Sequence, residues 1–106
     1  MRYAGHGVLA EISAATLSGT YQTVATTAYH AKELVFVSTL DGDALVSIGG
    51  VQALRIPAIT AGETYVTVYL KYDPDLLKAG TVIQAKDGAV AANNGTLSLT
   101  TILHNL

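Results

Sequence analysis

The chain is predicted to form an all-β domain: a single small antiparallel β-sandwich or jelly-roll-like barrel of seven to eight strands. Three observations carry this expectation. Runs rich in Val, Ile, Thr and Tyr recur through the sequence, and turn residues separate them about every ten positions. Several runs alternate in polarity, the period of a half-buried strand. A length of 106 residues matches one domain with one modest core, too small for a catalytic domain plus a separate binding domain.

Residues 1–18 read as an N-terminal arm or short strand, and residues 19–106 as the β-sandwich domain. In the arm, Val8 to Ile12 is the candidate strand. Gly5 and Gly7 make it adaptable, and Val8, Leu9 and Ile12 give it apolar surface to dock on a neighbouring subunit. Gly19 to Ala25 alternates, with Thr20, Gln22 and Val24 on one face. The stretch Glu33 to Ala58 reads as three strands, Leu34 to Leu40, Ala44 to Ile48 and Gln52 to Ile56, joined by hairpin turns at Asp41-Gly42-Asp43 and Gly49-Gly50. The first of these strands is apolar on both faces: Leu34, Phe36 and Leu40 on one, Val35 and Val37 on the other. Such a strand sits centrally in its sheet or has one face in a subunit contact. Pro57 ends the third strand because it cannot donate to a ladder.

After a turn at Thr60-Ala61-Gly62-Glu63, Thr64 to Tyr72 shows the clearest alternation in the chain. It places Val66, Val68 and Leu70 toward the core and Tyr65, Thr67, Tyr69 and Lys71 outward. Asp75 to Lys78 fits one helical turn, Thr81 to Ala85 a short strand, and Thr96 to Leu103 the last strand, with Leu97, Leu99 and Leu103 on one face and Ile102 on the other.

Composition narrows the function. Half of the residues are hydrophobic and only 13% charged, against about 25% charged in an average domain. A surface left to Thr, Ser, Ala, Gly and Tyr suits lasting contact with other protein. The net charge is −2 and the six Lys and Arg residues are dispersed, which argues against nucleic acid and against an anionic membrane surface. Absence of cysteine excludes disulfides and thiolate metal sites. The first residues lack the apolar run of a signal peptide, and no run approaches the roughly 20 apolar residues of a membrane-spanning helix. The chain is expected to stay in a cytoplasm or to be assembled there into something larger.

Candidate chemistry is sparse. Asp41/Asp43 and Asp73/Asp75 have the close spacing of calcium-binding carboxylates. An EF-hand opening at Asp41 needs Glu at its twelfth position, which holds Gln52, so both pairs read as turn residues. His6, His30 and His104 share no metal-ligand spacing, and Gly49-Gly50 lacks the downstream pattern of a phosphate loop. No catalytic residue, metal or cofactor is expected. The candidate working surface is the Tyr65, Thr67, Tyr69, Lys71 face, because Tyr is enriched in protein interfaces and in sugar-binding faces.

The order of pieces resembles small structural proteins of tailed-bacteriophage virions. It runs through Leu17-Ser18-Gly19-Thr20-Tyr21-Gln22-Thr23-Val24, Ala44-Leu45-Val46-Ser47-Ile48-Gly49-Gly50-Val51 and Ile56-Pro57-Ala58, then Ala79-Gly80-Thr81-Val82-Ile83-Gln84-Ala85-Lys86 and Gly95-Thr96-Leu97-Ser98-Leu99. Gly49-Gly50 stands where that pattern often has Asp-Gly. The Ala-, Gly- and Thr-rich composition also looks like that of capsid decoration, or cement, proteins. The resemblance implies a non-enzymatic virion component, assembled in the host cytoplasm, that clamps the major capsid protein of the finished head and commonly forms a homotrimer. A tail, head-tail junction or fibre-attachment protein is the alternative within the virion. A carbohydrate-binding module using Tyr65 and Tyr69 is the alternative of another class.

Overall fold

The computed structural model describes residues 6–13, 15, 17–27, 30–60, 62–71, 76–88 and 93–103, with the backbone alone at 6–8 and 103. Eight strands follow in order: β1 (His6–Ser13), β2 (Gln22–Thr26), β3 (Ala31–Ser38), β4 (Ala44–Ile48), β5 (Val51–Ile56), β6 (Tyr65–Leu70), β7 (Val82–Asp87) and β8 (Thr96–Leu103). They form two four-stranded sheets, the first ordered β1-β8-β3-β6 and the second β2-β7-β4-β5. Every pairing is antiparallel.

The pairing has a simple geometric origin. β4 pairs with β5, β3 with β6, β2 with β7 and β1 with β8, as along the two arms of one long hairpin. Its tip is Gly49-Gly50, whose φ values of 63° and 86° are open to glycine without steric cost. The ribbon rolls over so that β8 meets β3 and β7 meets β4, closing two stacked sheets. This is the eight-stranded jelly roll, the architecture the sequence predicts.

Rolling also explains a correction. β3 and β4 lie in different sheets, so Asp41-Gly42-Asp43 is no hairpin turn; it carries the chain from one sheet to the other. Its polar groups serve that crossing. The Asp41 carboxylate accepts the Asn94 backbone N–H at 2.7 Å and its side-chain amide at 2.9 Å. The Gly42 N–H donates to Asn93 Oδ1 at 2.5 Å. Asn93 Nδ2 donates in turn to Asp87 at 2.8 Å and to the Asp43 carbonyl at 3.2 Å. The Asn93-Asn94 pair thus ties the β7–β8 crossing to the β3–β4 crossing. Arg55 adds Nε and Nη2 bonds of 2.8 and 2.6 Å to one oxygen of the buried Asp43 carboxylate. Leu77, expected in a helical turn, instead bridges to Ala31 through reciprocal backbone bonds of 2.8 and 2.9 Å. Residues 1–5, Tyr72, Asp73, Asp75 and His104 fall outside the described residues.

The core lies between the sheets. Leu34, Phe36, Leu97 and Leu99 come from the first sheet; Ala44, Val46, Ile48, Ile56, Ile83 and Ala85 come from the second. β3 is central, flanked by β8 and β6, as its doubly apolar sequence requires. Ile12 and Leu17 belong to the same buried cluster.

Candidate functional site

The face of β6 is the largest departure from expectation. Its register with β3 sets Tyr65 against Ser38, Thr67 against Phe36 and Tyr69 against Leu34, and those three β3 residues are fully buried. Tyr65 and Tyr69 pack on the core, half-buried, whereas Val66, Val68 and Leu70 are 58%, 45% and 48% exposed. The inward and outward sets are the reverse of the alternation read from hydropathy. The cause is the strand's place at the flank of the sandwich. A tyrosine there lays a ring over the core and keeps its hydroxyl at the wet rim, covering more apolar area than a valine.

The turned valines join a wider surface on the outside of the first sheet. The strand registers align Leu9, Thr100, Val35 and Val68 in one row across all four strands. The next rows are Glu11, Ser98, Val37 and Val66 on one side, and Gly7, Ile102, Glu33 and Leu70 on the other. Leu9 is 68% exposed, and Val35, Val37 and Ile102 are half-buried. Aliphatic side chains thus occur on all four strands, with Thr100 and Ser98 of β8 between them. The only charges in these rows are Glu11, which accepts the Ser98 hydroxyl at 2.9 Å, and Glu33. The second sheet contrasts with this. Its equivalent row is Thr23, Gln84, Ser47 and Gln52, with Gln84 donating to Thr23 at 3.4 Å, and Lys86 lies 4.9 Å above the Tyr21 ring. The outer face of the first sheet therefore carries more exposed aliphatic side chains than this row of the second, and exposed apolar patches on small domains often serve as contacts.

The sequence-derived interface residues divide accordingly. Leu9 is exposed on the outer face of the first sheet. Ile12 does not: it is a core residue, so it has nothing to offer a neighbour. Val8 sits in β1 opposite Thr101, with its side chain outside the description. Tyr65, Thr67 and Tyr69 line the inner side of β6, and Lys71 places its Nζ 5.6 Å from the centre of the Tyr69 ring. Two tyrosines turned against the core present no flat platform to a sugar, so the carbohydrate reading loses the surface it relied on. The sequence offers the Val35 and Val37 face as a possible subunit contact, but not Val66, Val68, Leu70 and Ile102 beside it. The signal was the doubly apolar character of β3, which needs a cover on both faces.

The remaining polar groups are spent on the fold. The Asn94 side chain, and then its backbone N–H, hold the Asp41 carboxyl below its ordinary value of 3.8. Asp43 and Asp87 engage Arg55 and Asn93. Asp73 and Asp75 lie outside the described residues, and so does His104; His30 is exposed. Among the described residues, no group of three or more His, Asp or Glu side chains converges to hold a metal ion.

Fold and surface together define a jelly-roll domain with one apolar sheet face and loops tied by hydrogen bonds. Comparison with protein-family models, with characterised proteins and with solved structures returns no match to this chain.

Proposed function

We propose that the chain is a non-enzymatic structural protein of a tailed-phage virion, a capsid decoration protein that docks on the assembled head shell through the outer face of its first sheet. The observation that carries this reading is the set of aliphatic side chains on the outer face of all four strands of the first sheet: Leu9, Val35, Val37, Val66, Val68, Leu70 and Ile102. The sequence resemblance supplies the virion context. The jelly roll is compatible with it, since that architecture serves in capsid proteins as well as in lectins, but a fold alone assigns no function.

The energetics suit the role. Fully burying a Val or Leu side chain contributes roughly 1.5–3 kcal/mol. The four most exposed chains of this face are about half exposed, so covering them contributes roughly 3–6 kcal/mol. That is weak for one copy after the entropic cost of association. A cement protein compensates by binding only the assembled shell, stabilising it by mass action at many equivalent positions. The partner surface is apolar with basic residues opposite Glu11 and Glu33.

The test is co-sedimentation with undecorated heads of the phage that encodes the chain. The native protein is expected to pellet with the heads. Val68→Asp removes apolar burial and forces a carboxylate into the contact, and is expected to weaken binding about 100-fold. Failure of the native protein to bind heads or any other virion part refutes the proposal.

A further inference from the structure

Among the described residues, β6 is an edge of the first sheet and pairs with β3 alone. Natural edges are normally blunted by charge, proline, glycine or a bulge. Of the four edge strands, β1 carries Gly7 and Glu11, β2 has a bulge between Thr23 and Ala25, and β5 carries Arg55 and meets β4 through a bulge. β6 has none of these, and it pairs with β3 without a register shift.

Its sequence is also symmetric. Tyr65-Val66-Thr67-Val68-Tyr69 reads the same in both directions about Thr67. The symmetry of charge extends further: Glu63 and Lys71 lie equally far from Thr67 on either side, one acidic and one basic. We propose that two copies of this chain join through antiparallel pairing of their β6 edges, with the two-fold axis through Thr67, so that the first sheets merge into one continuous sheet.

The backbone supports this register. The Lys71 N–H donates to the Lys32 carbonyl at 2.8 Å, toward β3. In an antiparallel ladder, alternate residues direct their N–H and C=O groups to opposite sides. Tyr69, Thr67 and Tyr65 therefore bond to β3, and Val66, Val68 and Leu70 present theirs to the open edge. An axis through Thr67 sets Val66 opposite Val68 of the second copy, and the two exchange both backbone bonds. The symmetry repeats the pair on the other side of the axis. Side chains then meet in kind: Tyr65 with Tyr69, Val66 with Val68, Thr67 with its own copy. Aromatic, β-branched and Thr–Thr cross-strand pairs are each favourable. Glu63, which is exposed, meets Lys71, and this happens twice across the axis. Shifting the register by two residues either way opposes Tyr to Thr and breaks the charge match. An isologous contact of this kind closes at two copies, in place of the trimer that the resemblance implies. The inference does not rest on the virion reading, since head binding and self-association are measured separately.

Two experiments on the full chain test it. Light scattering with size exclusion is expected to give a dimer mass; a monomer or trimer mass at tens of micromolar overturns the proposal. Single cysteines fix the register in a chain that has none. Thr67 faces its copy as a non-hydrogen-bonded pair, with Cα atoms about 4.5 Å apart, within disulfide reach. The two copies of Val66 are diagonal, about 7–8 Å apart or more, and beyond easy reach. Thr67→Cys is therefore expected to give a covalent dimer on a non-reducing gel under mild oxidation, and Val66→Cys is not. Crosslinking at 66 but not 67, or at neither, overturns the proposal. Glu63→Lys is expected to weaken the dimer about tenfold at low salt, and adding Lys71→Glu to restore it; a double variant no tighter than the single one refutes the charge pairing.

Discussion

Replacing Val68 and Tyr69 in turn by threonine separates the observed face of β6 from the one that hydropathy suggests. Threonine is β-branched like valine and keeps strand propensity, so each change reports mainly what its side chain covers. Tyr69 packs half-buried against the core, opposite the fully buried Leu34. Removing a fully buried large aromatic costs about 3–5 kcal/mol; at this half-buried position about 2 kcal/mol is expected. Val68 is 45% exposed and lies opposite Val35 on the outer face. Losing its partial contacts is expected to cost about 0.5 kcal/mol. For a domain near this size, 1 kcal/mol moves the melting temperature by about 4 °C, so the shifts are roughly 8 °C and 2 °C. Urea unfolding at matched protomer concentration measures both, with an unchanged slope showing that only stability has moved. A larger loss for Val68→Thr than for Tyr69→Thr refutes the inward placement of the tyrosines and the apolar outer face with it.

Gly95 opens β8 at φ 106°, and a β-carbon there runs into the Thr39 carbonyl. Gly95→Ala is expected to cost about 2–4 kcal/mol in urea unfolding, from backbone strain plus the clash; a cost below about 0.5 kcal/mol refutes that packing. The Asp41 carboxyl is held below its ordinary 3.8 by Asn94, so its contribution is complete above the unfolded-state value, near pH 4, and is lost as pH falls through the lowered folded-state value. Asp41→Asn is expected to show a shallower loss of stability below about pH 4 than the native chain; identical acid slopes refute the latch.

Most of the architecture was legible in the sequence, and the limits of that legibility have physical causes. The bounds of β4 and β8 were read residue for residue, because β-branched runs between turn residues leave little else for the chain to do. Gly49-Gly50 was identified because a two-residue hairpin needs positive φ at both positions. Asp41-Gly42-Asp43 looked equally suited to a hairpin, since local turn chemistry is the same whether the next strand returns to the same sheet or crosses to the other. That choice is made by β8 and β7, many residues away, which occupy the positions beside β3 and β4. The face of β6 escaped for a related reason. Alternation gives two sets of side chains but not which set is inside, and hydropathy favoured Val, Val and Leu over Tyr, Thr and Tyr. At a flank, ring area and a wettable hydroxyl outweigh that ranking.

The two surfaces bear on each other through geometry. The proposed edge pairing would run in the plane of the first sheet, using Val66 and Val68 backbone groups, whereas the proposed docking would use the same residues' side chains along the sheet normal. One contact therefore leaves the other open. Pairing about Thr67 would set the two outer faces side by side across the axis, continuing the row Leu9, Thr100, Val35, Val68 into Val66, Val37, Ser98 and Glu11 of the second copy. A single face contributes only a few kcal/mol on covering, but two faces joined in one rigid unit dock as a bivalent ligand, the second at high effective concentration once the first is seated. Conversely, a shell that holds two copies at the matching distance raises their local concentration and favours the β6 contact. An aliphatic sheet face beside an edge strand without charge is a liability for a lone monomer, and the proposed pairing and docking would cover both.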